Sequence, residues 1–255
     1  MRKLTIGLVA AAAVMAPLIT STAASASPAV TRPVIFSAEQ AGSAISAPRV
    51  HYRYVQTTFT LPNSSKLPYS TGGGLSIQLR SPGEIFVLGI SAVPGSQWNA
   101  AAVDVQPGSC TSAGCIVYTN ANSPVMNAGD SVTLSVFYNT STGFLFYTAD
   151  DTTSGATFSA RFNDPGALFS SARVGAEFAD FPAATPGSAF VPPSADFRLA
   201  LLTGTVITQV NGTHISLVNS SQVVETSTGT STGTVQVNAP TVYNNGQNTG
   251  IWVRH

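Results

Sequence analysis

The sequence predicts a single all-β domain, built as an antiparallel sandwich or barrel. Short segments of alternating apolar and polar residues recur at intervals of about 8–12 residues, which is the spacing of strands in such folds. The 22 glycines and 16 prolines supply the turns between them. Beyond residues 1–26, no segment has the 3.6-residue periodicity of a long amphipathic helix.

The first residues predict an export signal. A positively charged start precedes the apolar stretch Leu4–Ile19, and Ala24-Ser25-Ala26 forms a small-x-small cleavage site. The alternative is a membrane anchor, but the apolar stretch is short for a span and contains Pro17. We therefore expect residues 1–26 to be removed and the mature chain to be secreted into the extracellular space.

The sandwich is expected to occupy residues 49–255. Residues 27–48 are rich in Pro, Ala and Ser and predict an N-terminal extension, in which Ser37–Ser46 could form one or two helical turns. The first strand is Tyr54–Leu61. In Leu75–Arg80 apolar and polar residues alternate at every position, so the apolar side chains share one face. The remaining predicted strands are Glu84–Ser91, Ala100–Val105, Cys115–Thr119, Ser131–Tyr138, Phe144–Thr148, Ala156–Phe162, Arg173–Phe181, Phe197–Ile207, His214–Val218 and Thr234–Val237.

The charge balance argues against binding to nucleic acids or membrane surfaces. The chain has 11 basic and 11 acidic residues, and only 9% of its residues are charged. It therefore has no basic block to neutralise phosphates or to bind acidic lipids. The motifs G-x-S-x-G and H-E-x-x-H are absent, and His51, His214 and His255 lie far apart in the sequence. We expect a monomer without cofactor or metal.

Five segments carry a resemblance to a known family. They are Ala41-Gly42, Val55–Pro62, Asn127–Val132, Ala176–Phe178 and Ala195–Phe197. Val55–Pro62 is similar to a first strand that ends in Trp-Thr-Val-Pro, and Asn127–Val132 is similar to an Ala-Gly-Asp-x-Ile/Val turn. Ala176–Phe178 is similar to the Ala-Glu-Trp of a strand that bears a catalytic glutamate. In this order along the chain, the segments resemble the secreted glutamic endopeptidases, the eqolisins.

The resemblance implies both a fold and a chemistry. The family folds as a concanavalin-like β-sandwich with a groove on one sheet, and it cleaves proteins at acid pH. A Gln and a Glu lie side by side in that groove. The carboxylate takes a proton from water, and the amide stabilises the charge that develops on the carbonyl oxygen. A peptide or protein substrate is therefore implied.

The chain departs from the family pattern at the catalytic pair. Glu177 matches the family's glutamate, but Phe86–Gly89 matches the Leu-Gln-Thr-Gly segment and puts Val87 at the glutamine position. A valine side chain has no hydrogen-bond donor, so it cannot stabilise an oxyanion. The aromatic segments of the family's groove are replaced by Leu75–Arg80 and Ala102–Pro107. The groove aromatics that would bind a peptide are therefore mostly missing.

Gln78 offers an alternative amide. It lies on the polar face of the strand Leu75–Arg80, and a shifted register could bring it toward Glu177. The competing interpretation is that Gln78 is a solvated residue on an outer face, while Glu177 is a lone carboxylate paired with Arg80 or Arg173. A surface ion pair of this kind contributes only about 0–1 kcal/mol to stability.

Three functions remain open from the sequence. The first is a divergent, secreted relative of the glutamic endopeptidases with weak or no peptidase activity. The second is an active acid endopeptidase in which Glu177 acts with Gln78. The third is a sandwich module that binds carbohydrate or protein. Such binding usually relies on exposed aromatic side chains, and Trp98 and Trp252 are the only tryptophans.

Cys110 and Cys115 are predicted to form a disulfide in the exported protein. Both lie in one short turn, and an exported chain meets an oxidising compartment. A metal site is the alternative, but no His and no second Cys pair stands nearby. Mass spectrometry of the unreduced mature chain should show a mass two hydrogens below that of the reduced chain. Alkylation of both thiols without prior reduction would contradict this bond.

Overall fold

Strands account for nearly all the regular structure in the described part of the chain. The computed structural model describes residues 34–37, 40–47, 49–61, 74–82, 84–93, 97–105, 116–118, 123–177, 200–225, 236–243 and 248–254. In chain order the strands are β1 (Val34–Ser37), β2 (Gln40–Ser46), β3 (Tyr52–Thr60), β4 (Gly74–Ser81), β5 (Glu84–Val93), β6 (Gln97–Val105), β7 (Ile116–Tyr118), β8 (Met126–Asn127), β9 (Ser131–Asn139), β10 (Phe144–Asp151), β11 (Thr157–Asn163), β12 (Ser171–Glu177), β13 (Ala200–Gln209), β14 (His214–Ile215), β15 (Ser221–Glu225), β16 (Gln236–Tyr243) and β17 (Asn248–Arg254). A 3-10 turn, Leu217–Asn219, precedes β15.

The strands form two sheets. In the first sheet the order is β1-β15-β2-β12-β4-β5-β6-β7, with β8 also paired to β6. In the second sheet the order is β11-β10-β9-β3-β13-β17-β16, with β14 paired to β13. Neighbouring strands run antiparallel except β1 and β15, which are parallel. The predicted antiparallel β-sandwich is confirmed.

Alternating side chains from both sheets fill the space between them. In β9 the residues Val132, Leu134 and Val136 are buried, while Ser131 and Thr133 on the opposite face are partly exposed. The first sheet contributes its own buried residues to the same core, which include Leu75, Ile77, Leu79, Phe86, Leu88 and Ile90. Burial of each large apolar side chain is worth about 1.5–3 kcal/mol, so this alternation is the main source of stability.

Five aromatic rings connect the two sheets at one end of the core. Phe86 of the first sheet contacts Phe169 edge-to-face at 5.4 Å and Phe162 at 6.0 Å between ring centroids. Tyr138 contacts Phe169 at 5.3 Å, and Tyr147 contacts Phe162 at 5.1 Å. Edge-to-face aromatic pairs contribute about 0.5–1.5 kcal/mol beyond their buried area. This cluster fixes the first sheet against strands β9–β11.

The expectation of helical turns over residues 37–46 is wrong. Gln40–Ser46 is strand β2, which pairs with β12 on one side and with β15 on the other. Its Ala and Ser residues give little local preference, so pairing with strands distant in sequence decides its conformation. Because β2 lies inside the first sheet, the sandwich also includes chain that was expected to be an extension.

Two further predictions lie outside the described residues. The export signal over residues 1–26 and the disulfide between Cys110 and Cys115 both fall there, so both stay predictions. The last predicted strand, Thr234–Val237, overlaps β16, which the structure describes as Gln236–Tyr243. Strand β17 was missed, although Ile251, Trp252 and Val253 are good strand formers.

Two aspartates hold the turns at one end of the second sheet. The Asp130 carboxylate accepts a hydrogen bond from the Asn127 backbone N–H at 2.7 Å. Asp151 accepts from the backbone N–H groups of Thr153 and Ser154 at 2.9 and 3.1 Å and from the Ser154 hydroxyl at 2.6 Å. Burial alone would raise the pKa of Asp151, but hydrogen bonds with Ser154, Thr153 and Asp130 outweigh it and lower that pKa.

Gly42 allows β2 and β12 to approach closely. A Cβ atom at this position would lie 2.2 Å from the Val174 carbonyl oxygen and 2.7 Å from the Gly175 Cα atom, and the φ angle is +154°. Both contacts are with backbone, which cannot move away without breaking the pairing of the strands.

We expect Gly42→Ala to destabilise the fold by about 2–4 kcal/mol, because overpacking and backbone strain add. Urea unfolding followed by circular dichroism measures this change. Gly129→Ala is the matched control. Gly129 has a φ of +91° but open space around its Cβ position, so it should cost only about 1–2 kcal/mol. Equal losses in the two variants would show that the contact between β2 and β12 is unimportant.

Asp151→Ala should lower the free energy of unfolding at pH 7 by about 1–2 kcal/mol, because the backbone N–H groups of Thr153 and Ser154 lose a buried charged acceptor. A carboxyl group with a lowered folded pKa stabilises the fold above its unfolded pKa, about 3.9, and loses that effect as the pH falls through the folded pKa. The difference between wild type and variant should therefore shrink in acid. Urea unfolding at pH 7 and pH 2.5 tests this, with the outward-facing Asp150→Ala as control. A difference that does not depend on pH would rule out this role for the carboxylate.

Candidate functional site

The first sheet has an outer face, opposite to the core, where the sequence-predicted residues lie. Leu75, Ile77 and Leu79 of β4 point into the core, so Ser76 and Gln78 point to the outer face. Gln78 pairs directly with Val87 of β5 and with Arg173 of β12. Because directly paired residues share a face, Arg173, Gln78 and Val87 form one row across three strands, which we call the central row.

Glu177 lies on the same face but not in the central row. Its backbone pairs with Gly74 of β4 and Gln40 of β2, while its side chain lies outside the described part of the structure. Gln78 is four residues further along β4 than Gly74, which corresponds to about 13 Å. The register therefore does not bring Gln78 and Glu177 side by side.

A row of small residues separates the central row from the position of Glu177. Across the first sheet it contains Gly42, Gly175, Ser76, Gly89 and Ala101, each paired with the next. Glycine has no side chain and alanine has only a methyl group, so neither can cover the backbone. The side chains of this row are therefore shorter than those of the central row, and all five residues are buried.

The expectation that Gln78 is solvated is wrong. Its side chain is only 2% exposed, and that of Val87 is 3% exposed. Ser76 and Ala101 in the neighbouring row are also buried. Burial of an amide is tolerated where the group is hydrogen-bonded. Gln78 and Val87 of the central row are thus not open to solvent, whereas Arg173 is partly exposed.

The described residues offer little other chemistry on this face. Within them, no group of three or more His, Cys, Asp or Glu side chains could hold a metal ion. They also contain no helix that is long and apolar enough to cross a membrane.

Trp98, considered above as a possible binding aromatic, is completely buried in the core. It therefore packs between the sheets and does not face a groove.

A set of aromatic residues on the outer side of the second sheet was not predicted from the sequence. Tyr54, Phe137 and Phe146 pair directly across β3, β9 and β10, and Phe137 and Phe146 are among the exposed large apolar residues. A signal was present in the sequence: Phe137 follows Ser131, Thr133 and Ser135 at the alternate positions that are otherwise polar.

Solved structures of glutamic peptidases are similar to this chain. Scytalido-glutamic peptidase, crystallised with a transition state analog inhibitor, matches with a TM-score of 0.65 and 15% sequence identity; the match covers 86% of this chain and 99% of that chain. SCP-B, a member of the eqolisin family of peptidases in complex with the tripeptide Ala-Ile-His, matches with a TM-score of 0.60 and 16% identity over the same shares.

The comparison establishes the architecture. No protein-family model and no curated protein matches the chain in sequence, so the likeness rests on the arrangement of the strands. It extends over nearly the whole length of the glutamic peptidases. The resemblance stated from the five segments is thus confirmed at the level of structure: this chain has the concanavalin-like antiparallel β-sandwich fold of the eqolisins.

Proposed function

We propose that this chain is a secreted protein with the glutamic-peptidase fold that does not hydrolyse peptides. The main support for the proposal is the identity of the three residues in the central row, which are Arg173, Gln78 and Val87. The family chemistry requires a Gln and a Glu side by side. If Val87 marks the glutamine position, the family's glutamate should lie in the same row. The residue of β12 in that row is Arg173, and Glu177 is four residues further along β12.

The two chemical roles are not both filled in this row: it has no carboxylate, and its only amide is that of Gln78, next to the matched position Val87. A valine side chain has no N–H group to donate to an oxyanion, and removal of one such donor typically costs about 10²–10³ in turnover. The guanidinium of Arg173 stays protonated in proteins, so it cannot take a proton from water. General base catalysis contributes about 10²–10⁴, and this contribution is lost as well.

Burial of the outer face supports the same conclusion. Gln78 and Val87 have almost no accessible surface, and Ser76 beside them is buried. A scissile carbonyl must come within about 3 Å of its oxyanion donor. Gln78 and Val87 offer little of that access.

The alternative is an active acid endopeptidase that uses Glu177 with Gln78. To bring them together, β12 would have to slide by four residues relative to β4. The observed register pairs every residue from Ser171 to Glu177 with a residue of β4. A slide would break this pairing, and the matching one with β2, so we do not favour this alternative.

We expect the wild-type mature protein to leave casein and haemoglobin undigested between about pH 2 and pH 7. The Glu177→Gln variant should behave identically, because Glu177 is not part of a catalytic pair. Release of acid-soluble peptides is the measurement, with an active glutamic peptidase as positive control. Digestion by the wild type that Glu177→Gln abolishes would establish the active-peptidase alternative.

A second experiment tests the assignment of the central row. The double variant Val87→Gln/Arg173→Glu places a carboxylate directly beside the Gln78 amide and a second amide at position 87. Because burial of this row limits access of the substrate, we expect slow digestion of casein at acid pH, above the wild-type background. The matched control is Val87→Gln/Arg173→Gln, which has the same side-chain size without the base. Activity in Val87→Gln alone would mean that Glu177 supplies the base. It would refute the proposal that position 173 is where the family has its glutamate.

A further inference from the structure

The outer side of the second sheet carries a row of aromatic side chains that no catalytic role explains. Tyr54, Phe137 and Phe146 are directly paired on adjacent strands, and Arg161 of β11 pairs with Phe146 at the end of the row. We call Tyr54, Phe137 and Phe146 the aromatic strip. It lies on the opposite side of the sandwich from the central row.

The rings of the aromatic strip leave large parts of their faces uncovered. The Phe137 and Phe146 centroids are 6.4 Å apart, and the ring planes differ by only 23°. Nearly parallel rings in contact are separated by about 3.5–4 Å, so these two are displaced sideways by about 5 Å. Phe137 is 36% exposed and Phe146 is 39% exposed. Tyr54 meets Phe137 edge-on at 6.4 Å and continues the strip.

Uncharged hydrogen-bonding side chains border the aromatic strip. On one side the next row across the sheet is Gln56, Ser135, Thr148 and Ser159. On the other side Phe144 lies between Asn139 and Asn163. The Tyr54 hydroxyl donates to the Gln56 Oε1 atom, which orients the Gln56 amide beside the strip. Apolar faces are thus flanked by amides and hydroxyls.

The aromatic strip alone is smaller than the apolar part of a protein interface of ordinary size. Rows on one face of a strand are about 7 Å apart, and neighbouring strands are about 4.8 Å apart. A row that crosses three strands therefore offers on the order of 100 Å² of apolar surface. A stable protein interface needs about 800 Å² on each partner. Beyond the strip, among the described residues, only Phe144 extends the apolar area, and Asn139 and Asn163 flank it.

Charge on this face favours an anionic ligand at one end of the strip. The Arg161 guanidinium lies 5.5 Å from the centroid of the Phe144 ring, which holds it beside the strip by a cation–π contact. Asp150, the acidic residue on the outward side of β10, is four residues from Phe146, or about 13 Å away. The fork of N–H donors on an arginine matches a carboxylate.

We propose that the aromatic strip binds an acidic polysaccharide, a chain of sugars of which some carry carboxylates. The C–H face of a sugar ring carries partial positive charge and fits the negative face of an aromatic ring. Its hydroxyl groups match the amides and hydroxyls that border the strip. Arg161 binds a sugar carboxylate at the end of the row. This site does not depend on the peptidase chemistry.

Affinity electrophoresis in gels that contain polygalacturonate, alginate or hyaluronate tests the proposal, with fully methyl-esterified polygalacturonate as the neutral counterpart. Wild-type mature protein should be retarded by at least one acidic polysaccharide. Phe137→Ala/Phe146→Ala should weaken that binding at least tenfold. Arg161→Gln should abolish the preference for the acidic over the esterified polymer. Leu168→Ala is the matched control, because Leu168 is 58% exposed and lies outside the strip.

Each remaining outcome overturns the proposal. Retardation by none of the three acidic polysaccharides would do so, as would binding that the double Phe variant leaves unchanged. Self-association of the wild type that the same variant abolishes, seen by sedimentation velocity, would make the strip an interface between copies. Thermal unfolding of every variant confirms that it is folded. The Val87 and Arg173 variants described above should bind the polysaccharide as the wild type does.

Discussion

The antiparallel register of β4, with β5 on one side and β12 on the other, determines what the first sheet can do. Directly paired residues stand side by side, whereas residues four apart on the same strand face the same way but are separated by two pleats. Because Gln78 pairs with Val87 and Arg173, these three side chains share one environment. Every inference about catalysis in this chain depends on that pairing, and the pairing is held in turn by the core residues on the other face of β4.

The alternation of apolar and polar residues predicts most of the second sheet correctly, because strands such as β9 bury one face and expose the other. It fails for β2, whose Gly, Ala and Ser side chains carry no such pattern and whose conformation depends on partners distant in sequence. It also misjudges Gln78: an alternating strand suggests that the polar face is exposed to solvent, but Ser76 and Gln78 on that face are buried.

The candidate site could be predicted only in part. Short motifs identify the fold, and Val87 stands out because a glutamine is expected there. The sequence alone cannot tell whether Arg173 or Glu177 lies in the same row as Val87. The two residues are four positions apart, so both face the same side of the sheet. Only the cross-strand pairing separates the two positions. The aromatic strip was detectable in principle from Phe137, but its three rings come from strands that become neighbours only in the folded sheet.

The position of β2 also bears on how the chain reaches its folded state. This strand comes near the start of the described chain, yet its hydrogen-bonded neighbours are β12 and β15, which follow much later, and β1 pairs with β15 as well. Contacts of such long sequence separation carry a large loop-closure cost, and they make folding slow. The first sheet therefore cannot be completed until almost the entire polypeptide is present. A chain of this topology can acquire its complete sandwich only after the last strands have been synthesised.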